Sequence, residues 1–394
     1  MNFFIINKIL ILLLLFFTLN SCSTQNLYDS LKIQSYEAPF IENYDDGDIL
    51  LNYSNNFKLN YKKRLILKNI KNKNKYFNNI IIDSSNIFAL SNNLELIQFD
   101  YNTGEQISLK KIDINNVKQE LITSFNFVDN SFIIAFKSGI ILKINIKGEI
   151  VWKFKSNKTL NTPLKFINKQ LVSLYVDEIK SISLNDGSEI WSELYDDISV
   201  YQAQGGQLVN FNNLLFFILP NNKIGSIDLN IGLPNNSEFN NIPIISSINN
   251  TNDKIHIFDN YLVYLDEGKY LYTFDIFLND FILFKHNINE SDSNKFFNNS
   301  LILKDGNFIQ ALNIINGKTF WLIDNKKISK KANIKEIRNS NENIQIFLNN
   351  GDVLIIKNKK FIEKNNLGIS NINNVIFKEN NIIINTESGK IAIY

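Results

Sequence analysis

From about Leu50 to the end of the chain, short runs of Ile, Phe, Leu, Val and Tyr alternate with Asn, Asp, Gly and Lys. Brief apolar runs bounded by turn residues predict strands, and nothing after the amino-terminal apolar run shows the period of an amphipathic helix. The turns themselves recur. Asn92-Asn93, Ser138-Gly139, Asp177-Glu178 and Asn221-Asn222 come first, then Glu267-Gly268, Asp305-Gly306, Asn350-Gly351 and Ser388-Gly389. Their second residues are 46, 39, 44, 46, 38, 45 and 38 positions apart. Two-residue turns of Asn-Gly or Asp-Gly type suit tight hairpins because both positions accept a positive φ.

A four-stranded unit of roughly 40–45 residues is a β-propeller blade. Residues 164–194 display one, with 164–167 and 170–175 as the inner pair, 179–184 third and 189–194 outermost. Eight hairpins predict an all-β, eight-bladed β-propeller of four-stranded antiparallel blades over residues 50–394. The run Leu214, Leu215, Phe216, Phe217, Ile218, Leu219 is apolar throughout, as expected of a strand buried on both faces. The last hairpin ends at Tyr394, so the eighth blade lacks an outer strand. The apolar segment within 57–68 is the candidate to supply it and close the ring, which removes a free sheet edge.

A second regularity sharpens the repeat. Trp152, Trp191 and Trp321 each follow a glycine by four residues (Gly148, Gly187 and Gly317), and the chain has three tryptophans in all. Asn102-Thr103-Gly104 repeats the turn without the tryptophan, and Gly232 matches in part. The fifth and seventh units have Asn279-Asp280 and Asn358-Lys359 where the glycine falls. The three indoles are read as packing between adjacent blades, each N–H needing an acceptor there.

The first residues differ from everything after them. Lys8 precedes an apolar run over 9–17, too short for a comfortable bilayer span and fitting the h-region of a secretory signal. Leu19, Asn20, Ser21 and Cys22 resemble a bacterial lipobox. Residues 1–21 are therefore expected to be a lipoprotein signal peptide and Cys22 to be lipidated. Residues 22–49 are expected to be a flexible tether, with Asp45, Asp46, Gly47 and Asp48 as a solvated turn. Lipidation on more than one chain gives stable anchoring. Ser23 rather than Asp after the cysteine suggests the outer membrane, by analogy with lipoprotein sorting.

Composition narrows the chemistry. Cys22 is the single cysteine, which excludes an intramolecular disulfide and a Cys-rich zinc site. With 41 basic and 39 acidic residues the chain lacks the excess of positive charge that a nucleic-acid surface carries. The abundance of Asn, Ile and Lys is attributed to codon bias. His256 falls in an alternating strand and is read as structural, and His286 near a strand end is read as solvated. Gly317-Lys318-Thr319 ends like a phosphate loop, but Leu312 stands where the first glycine is needed and a strand turn replaces the helix start. No catalytic residue, cofactor or metal ion is expected.

The Asn-x-x-(Thr/Asp)-Gly-x-x-x-Trp blade signature resembles the PQQ-like repeat of quinoprotein dehydrogenases. It also resembles the eight-bladed lipoprotein of the β-barrel assembly machinery of Gram-negative outer membranes. A quinoprotein enzyme of this family has adjacent cysteines at the quinone, which this chain lacks. The second resemblance implies a non-enzymatic scaffold, lipid-anchored on the periplasmic face of the outer membrane. Its partners are the periplasmic domains of the central insertase and unfolded outer-membrane proteins. The family's docking residues include acidic positions in inter-blade loops, for which Asp196 and Asp197 are the nearest candidates. A lipoprotein propeller binding a carbohydrate or cell-wall ligand is the first alternative and a quinoprotein dehydrogenase the second.

Overall fold

A computed structural model of the chain describes residues 48–49, 65–66, 77–91, 93–114, 121–160, 162–195, 207–218, 224–234, 255–266, 270–277, 282–287, 291–324, 326–340, 343–357, 360–378 and 381–394. They form strands only. Two short ones come first, β1 (Asp48–Ile49) and β2 (Leu65–Ile66). Blade one holds β3 (Phe77–Asp83), β4 (Asn86–Ser91), β5 (Glu95–Asp100) and β6 (Gln106–Lys111). Blade two holds β7 (Ile122–Val128), β8 (Ser131–Phe136), β9 (Ile140–Asn145) and β10 (Ile150–Lys155). Blade three holds β11 (Lys165–Ile167), β12 (Gln170–Leu174), β13 (Glu178–Ser183) and β14 (Glu189–Leu194). Blade four has β15 (Leu208–Phe211), β16 (Leu214–Ile218) and β17 (Ile224–Asp228), extended by a bridge from Ile227 to Pro234.

Blade five holds β18 (Ile255–Phe258), β19 (Tyr261–Asp266), β20 (Tyr270–Asp275) and β21 (Ile282–Asn287). Blade six holds β22 (Ser293–Phe297), β23 (Ser300–Asp305), β24 (Phe308–Asn313) and β25 (Thr319–Asp324). Blade seven holds β26 (Ile334–Ser340), β27 (Asn343–Leu348), β28 (Asp352–Lys357) and β29 (Lys360–Asn366). Blade eight has β30 (Ile372–Lys378), β31 (Asn381–Thr386) and β32 (Ile391–Ile393), with β2 as its fourth strand. Strands consecutive in the chain pair antiparallel within each blade, and β2 completes blade eight from the other end of the chain, which is the eight-bladed propeller the repeat predicts.

Local chemistry explains the meander. First-to-second strand turns hold Asp129 and Asn130, or Asn168 and Lys169, at φ between 48° and 65°. Consecutive positive φ values give the turn whose twist matches the flanking strands. The middle strands are buried on both faces, as β8 is at every residue, while β10 and β14 have mostly exposed residues around a buried tryptophan. First strands of successive blades, such as β3 and β7 or β22 and β26, approach one another and mark the inside of the ring.

Apolar packing runs between blades. Leu171 and Ile182 of blade three join Ile133 and Ile141 of blade two, and Ile302 of blade six joins Ile346 of blade seven. The eighth blade meets the first in the same way, with Ile383, Ile391 and Ile393 against Ile87, Ile97 and Phe99. Ring closure is also made in the backbone, where Leu65 pairs with Ile393 and Ile66 with Ala392. The expected closing strand is therefore present, two residues long among those described.

Two expectations shift. The turns placed at Asp177-Glu178 and Asp305-Gly306 are offset by one residue, because Glu178 begins β13 and Asp305 ends β23. Asp48, expected in a free turn at the end of the tether, instead lies in β1, which pairs in parallel with the outer strand of blade six. Two residues carry no periodicity, so no pattern announces such a strand.

Candidate functional site

The turn between the third and fourth strands of a blade is built from an Asx cap and a glycine. Asp100 Oδ1 accepts from the N–H groups of Asn102 and Thr103 at 2.8 and 2.7 Å, and Gly104 N–H donates to the Asp100 carbonyl. Asn145 does the same for Lys147 and Glu149, and Asp228 for Asn230. Short polar side chains favour such turns because they substitute for backbone acceptors.

The preceding blade uses this turn as a socket. Trp152 of blade two donates from Nε1 to the carbonyl of Leu184 in the blade-three turn, at 3.1 Å. Trp191 of blade three donates to the Leu229 carbonyl of the blade-four turn at 2.9 Å. At the first seam Lys110 takes the role, its Nζ reaching the Ile146 carbonyl at 3.0 Å. At the fifth seam the Thr273 hydroxyl donates to the Ile314 carbonyl. The acceptor is in each case the residue after the one that opens the turn. The three tryptophans are buried as packing residues, with Trp321 among Ile337 and Ile346 of blade seven.

The outer strands share one irregularity. Opposite the third strand, one residue is skipped just before the tryptophan position: Ile107, Val151, Ile190, Leu283, Phe320 and Ile362. Such a bulge twists an edge and interrupts pairing. Ile107, Val151 and Ile190 are exposed, and Ile150, Leu109 and Leu194 beside them are exposed too. The outer edges of β6, β10 and β14 pair with no further strand among the described residues, whereas blade six carries β1 there.

Blade three carries a group of ion pairs. Lys180 bridges Glu178 and Glu189, both at 2.8 Å, and Lys158 reaches Asp177 at 3.0 Å. Burial pulls the Lys180 ammonium down, but its bonds to Glu178 and Glu189 outweigh that and hold its pKa above the ordinary value. The Lys180 contact lowers Glu189 in turn. Burial pushes the Tyr175 phenol up to about 12. Lys304 is fully buried, its Nζ donating to the carbonyls of Gly306 and Lys330, and burial lowers its pKa.

His256 lies in β18, stacked on Phe296 with ring centroids 5.1 Å apart and its Nε2 3.1 Å from the Asn298 carbonyl. His286 lies near the end of β21, where the sequence places it. Gly317 sits in a strand turn, its N–H donating to the Asn313 carbonyl. Among the described residues no group of three or more His, Cys, Asp or Glu side chains is placed to hold a metal ion. Cys22, Asp196 and Asp197 lie outside the described residues, as do Asn279-Asp280 and Asn358-Lys359. Sequence reasoning missed Lys110 and Thr273 as seam residues. The signal was their place on the strands facing the next blade's Asx turn.

No protein-family model matches the sequence, and no curated protein matches it. Solved structures do. BamB from Moraxella catarrhalis superposes with a TM-score of 0.58 at 14% identity, over 80% of this chain and 95% of that one. The computationally designed Ika8 protein gives 0.64 at 14% identity, over 84% and 99%. Saccharomyces cerevisiae Sqt1 gives 0.58 at 11% identity, over 88% and 99%. These likenesses establish the propeller fold. With 1576 matching chains, among them a bacterial, a yeast and a designed protein, the likeness does not select a function.

Proposed function

We propose that the protein is a non-enzymatic docking scaffold that acts as BamB-like lipoproteins do within the β-barrel assembly machinery. It is anchored through Cys22 to the periplasmic face of the outer membrane. There it binds the periplasmic domains of the central insertase and aids insertion of unfolded outer-membrane proteins. The observation that carries the docking role is the rim of blades one to three, where open strand edges expose Ile107, Leu109, Ile150, Val151, Ile190 and Leu194. Exposed apolar side chains beside unpaired strand edges are suited to pairing with another chain. The repeat's indoles support the same reading, because Trp152 and Trp191 are used in blade seams rather than facing a ligand. The superposition with BamB supports the choice of machinery by fold, and the lipobox-like run ending at Cys22 supports the address.

The test is affinity purification of the tagged full-length protein from solubilised outer membranes. Recovery of the barrel-assembly subunits is the expected result. Their absence from membranes that contain the machinery overturns the proposal, and so does a bound quinone absorbance dependent on calcium.

A further inference from the structure

The chain itself shows how an extended segment lies on the outer edge of a blade. Strand β1 runs parallel to β25 with Asp48 opposite Trp321 and Ile49 opposite Leu322, immediately beyond the bulge at Phe320. Phe320 and Leu322 are half-buried there. Blade two offers the same backbone slot with different side chains. Its bulge falls at Val151, its tryptophan is Trp152, and Lys153, Phe154 and Lys155 follow as Leu322, Ile323 and Asp324 follow Trp321. Strand β10 has no strand on its outer side among the described residues. Lys153 and Lys155 are exposed, and Val151 is 53% exposed, where Phe320 in the occupied slot is half-buried.

We propose that the outer edge of blade two is a docking slot for an extended segment of another polypeptide that alternates apolar and acidic residues. The inference refines the docking reading above by naming the chemistry of the partner segment. Main-chain hydrogen bonds to an exposed edge supply affinity without regard to sequence, and alternate side chains supply specificity. Successive residues of a strand face opposite sides, so partner residues beside Trp152 and Phe154 share one face and those beside Lys153 and Lys155 share the other. The first pair asks for apolar residues, since Trp152 is buried and Phe154 half-buried. The second asks for carboxylates, because like charges side by side on a sheet repel and opposite ones attract. Blade three has an open edge as well, but Ser192 and Leu194 stand where blade two has Lys153 and Lys155, so it offers the carboxylates no cations.

The experiment titrates the full-length protein in detergent with a labelled peptide of about ten residues alternating valine and glutamate, a strand length typical of sheets. A valine–lysine peptide is the control, and fluorescence anisotropy is the readout. The wild type is expected to favour the glutamate peptide by about tenfold, and the Lys153→Glu, Lys155→Glu double variant to reverse that preference. Methylating alternate peptide nitrogens of the glutamate peptide is expected to abolish binding, since strand pairing needs those donors. Equal binding of the two peptides, no binding of the glutamate peptide, or a preference that survives the charge reversal overturns the slot. If the reversed variant does not melt like the wild type, Lys153→Gln with Lys155→Gln replaces it, and loss of the preference is then expected. Peptide binding without recovery of assembly subunits from membranes keeps the slot and removes the functional reading. Recovery without peptide binding does the opposite.

Discussion

The six-membered ring of Trp152 lies against the backbone of Gly187, 35 residues later and in the next blade. A Cβ at Gly187 stands 2.7 Å from Trp152 Cδ2 and Cε3, closer than real contacts allow. Trp191 crowds Gly232 likewise, where a Cβ stands 2.5 Å from its Cγ and 2.6 Å from its Cδ2. Gly187 and Gly232 thus serve the tryptophan of the blade before them as well as their own turns. Gly187→Ala is expected to cost about 2–4 kcal/mol, from the left-handed backbone and the displaced indole together. Gly148→Ala is the control. Its φ is also positive, but its nearest neighbours are Lys110 carbons at 3.6 Å, an ordinary contact. It is expected to cost only about 1–2 kcal/mol. Urea unfolding of both variants checks the difference. In a Trp152→Ala background the steric part of the Gly187→Ala cost is expected to vanish, giving a non-additive cycle.

That arrangement also marks how far the chain could be read unaided. The Gly-to-Trp spacing is local, so the repeat, the eight blades and the incomplete last blade were legible. The reason for the glycine was not, because its partner is a whole blade away in sequence. Lys110 substitutes for an indole at the first seam through hydrogen-bond geometry alone, with no composition signal. Strand β1 was hidden because backbone pairing of two residues leaves no hydrophobic pattern. The apolar rim residues read as ordinary strand residues, and their exposure follows from the fourth strand of a blade being its edge.

Trp191→Phe is expected to cost about 1 kcal/mol more than Trp152→Phe. Both changes remove an indole N–H. The Leu184 carbonyl keeps a second donor, Lys143 Nζ at 3.0 Å, while the Leu229 carbonyl loses the donor that Trp191 supplies. Equilibrium unfolding of the two variants gives the comparison directly, and equal costs count against it.

Deletion of residues 385–394 is expected to abolish the cooperative thermal transition of the whole domain. The segment carries β32, which pairs with β2 and β31, and Tyr394, whose buried hydroxyl donates to the Leu367 carbonyl at 2.7 Å. A calorimetric melt of unchanged amplitude after the deletion contradicts closure. Tyr394→Phe tests the last contact alone and is expected to cost about 1 kcal/mol.

Acid is expected to weaken the blade-three turn. Bonds to the Ser183 and Ser188 hydroxyls and the Ser188 N–H hold the Asp186 carboxyl at about 2, and Lys180 lowers Glu189. Folded-state values below the unfolded range of about 4 mean that these groups stabilise fully above that range. Their contribution is lost as pH falls through the lowered values. Melting temperature is therefore expected to drop between about pH 4 and pH 2, with a shallower drop in Asp186→Asn. Melts across that interval decide it.

The parallel pairing of Asp48–Ile49 with Trp321–Leu322 has a mechanical consequence. Ring closure depends on β2, which follows β1 in the chain and sits two blades further round. A pull on the polypeptide ahead of Asp48 reaches β1 before it reaches β2. The β1–β25 ladder then works like the grip where a cable enters a plug. It takes the load at the rim of blade six and can slip, while the latch between blades eight and one stays unloaded.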